Sequence, residues 1–568
     1  MTATEAERAH VSDSVREYDV IIIGAGAAGL HAIYRLRGQG LNTICLEAGD
    51  GVGGTWYWNR YPGARVDIES VEYSYTFSEE LQQEWEWPER YSAQPELMRY
   101  FNHVADRFDL RRSIEFNSRV ATAHFNESED RWDVETTDGR RFSAQYLVMA
   151  TGFLSAPNQP KFPGQDSFRG KTYHTAYWPA EGVDFSGQRV GIIGTGSSAV
   201  QAIPIIAQQA KHLTVFQRTP NFSVPLRNGP LSKEFEAKVK ANYPEWRRME
   251  REESFTGMIW INERPEGMVT KLTTETTPEE REAMYEDRWK NGGICFYNIY
   301  PDTFTDPVAN GYLAEFMRNK IREKVNDPEV AELLCPKDYP VLTKRLCADT
   351  NYYETYNRDN VTLVDIRGKE VGLNEKGVAV DGEGYELDAV IFATGFDALT
   401  GALTRIDLRG IDGRSLNDHW SEGARTAYGL MIAGFPNLFL INGPGSPTPL
   451  FQPVLLGEEQ GNWFGDWISY MAENGYTRID AAPETEDQWV QRCTDVINAT
   501  LFPKARSWYM GANIPGKPSM GLVDFGGIWN YRKYCTDLLP DGFPGFTLSN
   551  GAQQAGRAEM HAGAATAA

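Results

Sequence analysis

Two glycine-rich runs carry the clearest chemistry in this sequence. The first, Gly24-Ala25-Gly26-Ala27-Ala28-Gly29, follows the apolar run Tyr18-Asp-Val-Ile-Ile-Ile and opens a helix-like stretch. In such a run Gly24 permits a tight turn, Gly26 lets backbone approach a pyrophosphate, and Gly29 lets helix and strand pack closely. The helix start then turns N–H donors and a positive dipole toward the phosphates. Glu47 ends the next apolar run, close to the spacing of about 20 residues expected of an acid that takes the ribose hydroxyls. The second run, Gly194-Thr195-Gly196-Ser197-Ser198-Ala199, has the related GxGxxA form. Its second strand ends Val215-Phe216-Gln217-Arg218, with no carboxylate in register. An acid there would repel a 2′-phosphate, whereas an arginine binds one with a planar, permanently charged fork. The pattern therefore selects NADP over NAD, and Lys344 is a second candidate for the phosphate.

The stretch Gly53–Asp67 is dense in aromatics and glycine, with Trp56, Tyr57, Trp58 and Tyr61. Such a segment can wall an isoalloxazine ring with stacking faces and backbone donors; the alternative is a core-forming loop. The first reading makes the first site one for FAD and the second one for NADPH. Thr55, Trp56, Trp58, Tyr73, Val120, Thr195, Ser197, Ser198 and Gln217 are expected cofactor contacts.

These motifs need particular elements behind them. Each glycine run must follow a buried strand and precede a helix, and each unit has a second strand, in LNTICLEAG and in KHLTVFQRT. Each is echoed downstream by a strand ending Ala-Thr-Gly-Phe, at Phe153 and at Phe396. The expected fold is α/β, with two Rossmann-like dinucleotide-binding domains. Expected boundaries are 18–155 with 391–550 for the FAD domain and 156–224 with 341–390 for the NADP domain. A helical insert fills 225–340. Thr277-Pro278-Glu279-Glu280 is a good helix start within it, and Asn326-Asp327-Pro328 breaks two further helical stretches. The insert is either a lid or a packing element. Residues 1–17 and 551–568 read as disordered ends.

The net charge of −22 argues against a nucleic-acid surface and against a basic membrane-surface helix. No run approaches the ~20 apolar residues that span a bilayer, and the polar, acidic first residues lack an apolar signal core, so a cytoplasmic protein is expected. Six scattered cysteines with no CxxC pair and no Cys/His cluster argue against a disulfide framework and a metal site.

Just before the second nucleotide run stands Phe168-Arg-Gly170-Lys-Thr-Tyr-His174-Thr-Ala-Tyr-Trp178-Pro179. It resembles the FxGxxxHxxxW(P/D) fingerprint of type I Baeyer–Villiger monooxygenases. GTWYWNRYPGARVDIES, DTNYYETYNRDNV, GFPNLFLINGPGSP and SWYMGANIPGK also look like segments of that family, nearest its phenylacetone/steroid branch. The resemblance runs from about residue 18 to about 545 and implies roles for matched positions. Asp67 and Arg345 would be the catalytic pair beside the flavin. Lys344 and Arg218 would hold the NADP 2′-phosphate, and Trp508 would lie over the nicotinamide. His174, in the linker, would couple domain motion or serve as a hydrogen-bonded structural histidine. The loop Ser446–Pro453, with Thr448, Pro449 and Leu450, would shape the substrate pocket, although its prolines depart from the nearest relatives.

The implied reaction uses NADPH and O₂ to turn a ketone (cyclic, aryl or steroid-like) into an ester or lactone through a flavin peroxide. Arg345 suits the developing anionic oxygen because it stays charged. The partners implied are a ketone and O₂, and a monomer is expected. The nearest rival is a flavin monooxygenase of sulfides or amines, with the same nucleotide sites. A disulfide reductase would need a redox CxxC. A non-catalytic nucleotide-binding regulator would oxidise no NADPH on addition of a ketone.

Overall fold

The computed structural model describes residues 14–259, 269–448 and 450–550. The expected disordered ends fall mostly outside these residues, as does Pro449. Where the lead is described it is not loose: Arg16 and Glu17 already belong to the strand Arg16–Ile23, in register with Phe142 and Ser143. The strand starts there because their backbone pairs with a neighbour, whatever the polarity of the side chains.

The strand's last four residues, Val20–Ile23, are all buried. A parallel strand covered on both faces needs a continuous apolar run of this kind. Alternation sends Val20 and Ile22 into one core and Ile21 and Ile23 into the core on the other face. The first sheet has eight strands among the described residues. Arg16–Ile23 lies between Thr43–Leu46 and Arg141–Met149, and Ile114–Glu115 extends the sheet beyond Thr43–Leu46. On the other side lie Arg131–Thr136, Val120–Asn126 and Asp407–Arg409, while Leu438–Leu440 pairs with Arg141–Met149.

The second sheet is parallel throughout, in the order Val361–Asp365, His212–Gln217, Arg189–Ile193, Ala389–Phe392, Lys171–His174. The strand Ala389–Phe392 corrects the expected boundary at 391, which would cut it. It pairs with both Arg189–Ile193 and Lys171–His174, so the crossing back to the first sheet comes after Phe392. In both sheets the Ala-Thr-Gly strand lies directly beside the glycine-run strand, with Ile23 opposite Met149 and Ile193 opposite Phe392.

The insert is helical, as expected. Thr277 caps Pro278–Asn291 with a reciprocal Glu280 capping box, and Asp306 and Asp327 cap Pro307–Lys324 and Pro328–Leu334. Among the described residues, the insert's buried side chains join the cores of the two sheets. Tyr243, Tyr285 and Trp289 join the core on one face of the first sheet, and Ile321, Val325 and Leu334 join that of the second. No helix among the described residues is long and apolar enough to cross a membrane. All six cysteines are buried and unpaired.

Candidate active site

A cavity of about 1250 Å³ takes its walls from both sheets and contains both glycine loops. At its first end the chain leaves the strand at Gly24 with φ +102°, where a Cβ would lie 2.6 Å from the carbonyl oxygen of Ala150. A side chain there would be strained and would collide with backbone. Gly54, at φ +53°, brings its own backbone against Gly26, with a Cβ position 2.8 Å from Gly26 Cα. Gly29 does not reach the cavity; it lets the helix sit directly on the Gly24 carbonyl.

The helices Ala27–Gly38 and Ser197–Gln209 both start at a glycine with no side-chain cap and no acid in the first turn. The capped starts at Ser232, Thr277 and Asp306 contrast with this. Uncapped first-turn N–H groups facing a cavity are free to bind phosphate. Glu47 lines the cavity, and its two oxygens accept the amides of Ala25 and Gly49, each at 2.7 Å. Burial raises its pKa, against the pull of those amides.

Thr55, Trp56, Trp58, Asp67, Tyr73 and Val120 all line the cavity. Trp56 Nε1 donates to Tyr73 Oη at 3.0 Å, which sets the two rings edge to face. Burial pushes the Tyr73 phenol up to about 12. Asp67 meets Arg345 in a two-bond fork, Nε to Oδ2 at 2.9 Å and Nη2 to Oδ1 at 2.8 Å, with side chains 27% and 14% exposed. Burial alone would lower the Arg345 pKa; the Asp67 carboxylate reverses that and holds it above its usual value.

The other end carries Gly194, Thr195, Gly196, Ser197, Ser198, Arg218 and Lys344. The Thr195 hydroxyl donates to Thr219 O at 2.8 Å, so it braces the loop. Lys344 Nζ lies 4.4 Å from the centre of the Tyr339 ring. Burial, then repulsion from Arg218, brings its pKa down to about 8. Gln217 corrects an expectation: it does not line the cavity. Its side chain is buried on the other side, with Nε2 donating to Leu333 O at 2.8 Å. Trp508 does line the cavity, with its ring 4.4 Å from that of Tyr509.

The loop Ser446–Pro453 also differs from expectation. Neither Thr448 nor Leu450 lines the cavity. Thr448 is fully buried, its hydroxyl donating to Asn442 Oδ1 at 2.6 Å, and Leu450 packs in the core. Phe451, Pro453 and Val454 form the wall instead, beside Asn442.

The fingerprint residues stand outside the cavity. The Phe168 ring folds over Gly170, where any side chain would strike it, and Trp178 packs with Tyr173 and Phe185. His174 Nδ1 accepts the Ala176 N–H at 3.1 Å, which leaves the proton on Nε2. That nitrogen is 3.2 Å from Asn158 O and from Thr394 Oγ1, on the two segments by which the chain crosses between sheets. Burial lowers the His174 pKa, which keeps this neutral form in place.

Relatives of known function share this architecture. A family model described as pyridine nucleotide-disulphide oxidoreductase matches residues 21–242. With no CxxC in the sequence, the match reflects the nucleotide-binding fold. A protein of Pseudooceanicola batsensis called Baeyer-Villiger monooxygenase is 44% identical over 93% of this chain and 95% of its own length. The chain belongs to the Baeyer–Villiger monooxygenase family. It is an NADPH-dependent flavin monooxygenase. A solved steroid monooxygenase bound to NADP is 48% identical, with a TM-score of 0.89 over 94% of this chain and all of its own. The structure of OTEMO in complex with FAD and NADP is 39% identical, with a TM-score of 0.90 over the same shares.

Sequence reasoning missed Tyr297 and Tyr509, which lie near Arg345. Tyr297 Oη accepts the Leu346 N–H at 3.2 Å, immediately after that arginine. Tyr297 sits in the insert, where no local pattern marks it. Tyr509 adjoins Trp508, the one signal that could have found it.

Proposed function

We propose that this member of the family binds FAD at the Gly24 end of the cavity and NADPH at the Gly194 end, and converts a ketone into an ester or lactone. The observation that carries this reading is the Asp67–Arg345 fork in the wall of the cavity that both glycine loops share. In the overall reaction the ketone, O₂, NADPH and a proton give the ester, NADP⁺ and water. FAD, when bound, supplies the redox chemistry and the activation of O₂.

The chain's own groups provide binding and electrostatics. The uncapped starts of Ala27–Gly38 and Ser197–Gln209 offer N–H donors to the two pyrophosphates. Gly54 closes on Gly26, so a pyrophosphate meets backbone on two sides. Arg218 and Lys344 bring two positive charges for a 2′-phosphate, and their mutual repulsion in its absence fits that ligand. Arg345 keeps its proton through any working pH and places a fixed cation where negative oxygen develops on the substrate. Asp67 holds the plane of the guanidinium. Trp508, Phe451, Pro453 and Val454 line the cavity with apolar surface, which excludes water and strengthens that field.

His174 ties the two inter-sheet crossings rather than meeting substrate. The protein is read as a cytoplasmic monomer acting on a small molecule. The test is a panel of cyclic, aryl and steroid-like ketones, with NADPH consumption and product mass followed together. Ester formed in step with NADPH oxidation is expected. NADPH oxidation that no ketone accelerates, with no ester, would overturn the reading.

A further inference from the structure

The segment Val66–Ser78 carries Asp67 and Tyr73 to the cavity, yet it contains no helix or strand and is largely buried. Irregular buried backbone has to find partners outside the usual ladders. Much of that task falls to one side chain of the insert. Arg247, on the helix Lys233–Glu252, is buried, and its guanidinium donates to Val71 O at 2.9 Å, to Glu72 O at 3.4 Å and to Ser74 Oγ at 2.7 Å. Its remaining donors take Gln82 Oε1 at 3.0 Å and the Glu250 carboxylate at 2.9 Å. Gln452 and the Ile259 amide hold Glu72 from two further directions, at 2.5 Å and 3.2 Å. The acceptors on Val71, Glu72 and Ser74 lie between, or just beyond, the two cavity-facing residues. The insert therefore grips the back of the segment whose front presents Asp67 and Tyr73.

We propose that Arg247 is a positioning residue for the ketone-oxygenating step: by fixing the 71–74 backbone it holds Asp67 in its fork with Arg345 and Tyr73 against Trp56. This rests on the reading of Asp67 and Arg345 given above. Only a planar group with five donors can serve the two carbonyls, the hydroxyl, the amide and the carboxylate together; a lysine has three donors on one atom. The insert is thus part of the frame of the site.

The test uses FAD-loaded Arg247→Lys and the double variant Arg247→Met/Glu250→Gln, which removes both charges of that buried pair together. Three quantities are read: flavin reduction by NADPH, ester formed per NADPH, and hydrogen peroxide formed per NADPH. A displacement of about 1 Å at a reacting site costs on the order of 100-fold. Flavin reduction should stay within a few-fold of wild type, while ester per NADPH falls by about 10- to 100-fold. Peroxide should then account for the missing electrons, with O₂ reduced by the two electrons of NADPH and both protons retained in H₂O₂. Ser74→Ala, which removes one bond to Arg247 and the hydroxyl's own bond to Val71 O, should uncouple in the same direction but less.

A purely structural arginine would lower melting temperature and leave ester per NADPH unchanged; that result overturns the proposal. So does loss of FAD from both Arg247 variants alongside a fully coupled Ser74→Ala. Arg345→Ala is run in parallel. If it still makes ester at the wild-type ratio, the reading of the fork fails, whatever Arg247 does. If it is uncoupled while the Arg247 variants stay coupled, only the Arg247 proposal fails.

Discussion

Replacing Arg345 by alanine separates the two halves of the reaction. Hydride transfer from NADPH needs two rings aligned, and the fixed cation adds little to that. Attack on the ketone places negative charge on oxygen, and losing one preorganised donor at such a point costs ~10²–10³ in rate, or about 2.7–4 kcal/mol. The fold should survive the change. Asp67 loses two charged hydrogen bonds of 2.9 and 2.8 Å, but at 27% exposure its carboxylate can take up water. The stability cost should therefore stay near the low end of the ~1–3 kcal/mol for an unmade bond. Arg345→Ala is thus expected to keep FAD, to be reduced by NADPH at near wild-type rate and to form ester about 100- to 1000-fold more slowly, with hydrogen peroxide as the main product. Arg345→Lys should restore little, since a point charge does not reproduce the fork. Stopped-flow reduction and product analysis on one preparation decide it. Ester at near wild-type rate would refute the role given to Arg345.

Other consequences are open to direct measurement. Arg218→Ala should weaken NADPH use by roughly 10- to 150-fold, the equivalent of about 1.5–3 kcal/mol, with NADH use nearly unchanged; equal loss for both would make Arg218 structural. Lys344, with its pKa lowered to about 8 in the free enzyme, is charged below that pH and loses its proton above it. The KM for NADPH should rise as pH rises through 8, by up to about tenfold per unit. NADH should show no such rise, and Lys344→Met should abolish it; a flat NADPH profile in the wild type contradicts the assignment. Phe451→Ala should reorder a ketone panel while leaving flavin reduction intact, whereas Thr448→Val should lower melting temperature and leave the ranking alone; the reverse pattern would put Thr448 in the pocket.

Local chemistry was the most legible part of this chain. Gly24, Gly26 and Gly29 sit within one turn and could be read from their spacing, as could the Thr277 capping box. Side-chain direction was less legible. Gln217 and Arg218 are neighbours, but alternation along the strand sends Gln217 to Leu333 and leaves Arg218 at the cavity. The family resemblance made Thr448 a pocket residue, yet its hydroxyl is drawn inward by Asn442. Long-range pairing left no local trace: Asp67 and Arg345 are 278 residues apart, and family resemblance alone put them together. Arg247 reaches Val71 across 176 residues, so the helix of the insert could be foreseen and its grip could not.

The central claim is that one oxygen atom of O₂ enters beside a ketone carbonyl at the expense of NADPH. Turnover of an accepted ketone under ¹⁸O₂ in ordinary water, with the product weighed by mass spectrometry, tests it most directly. The account predicts an ester carrying one ¹⁸O atom, formed in step with NADPH consumed. An ester whose new oxygen comes from water, or NADPH consumption that yields only labelled hydrogen peroxide with every ketone tried, would contradict it.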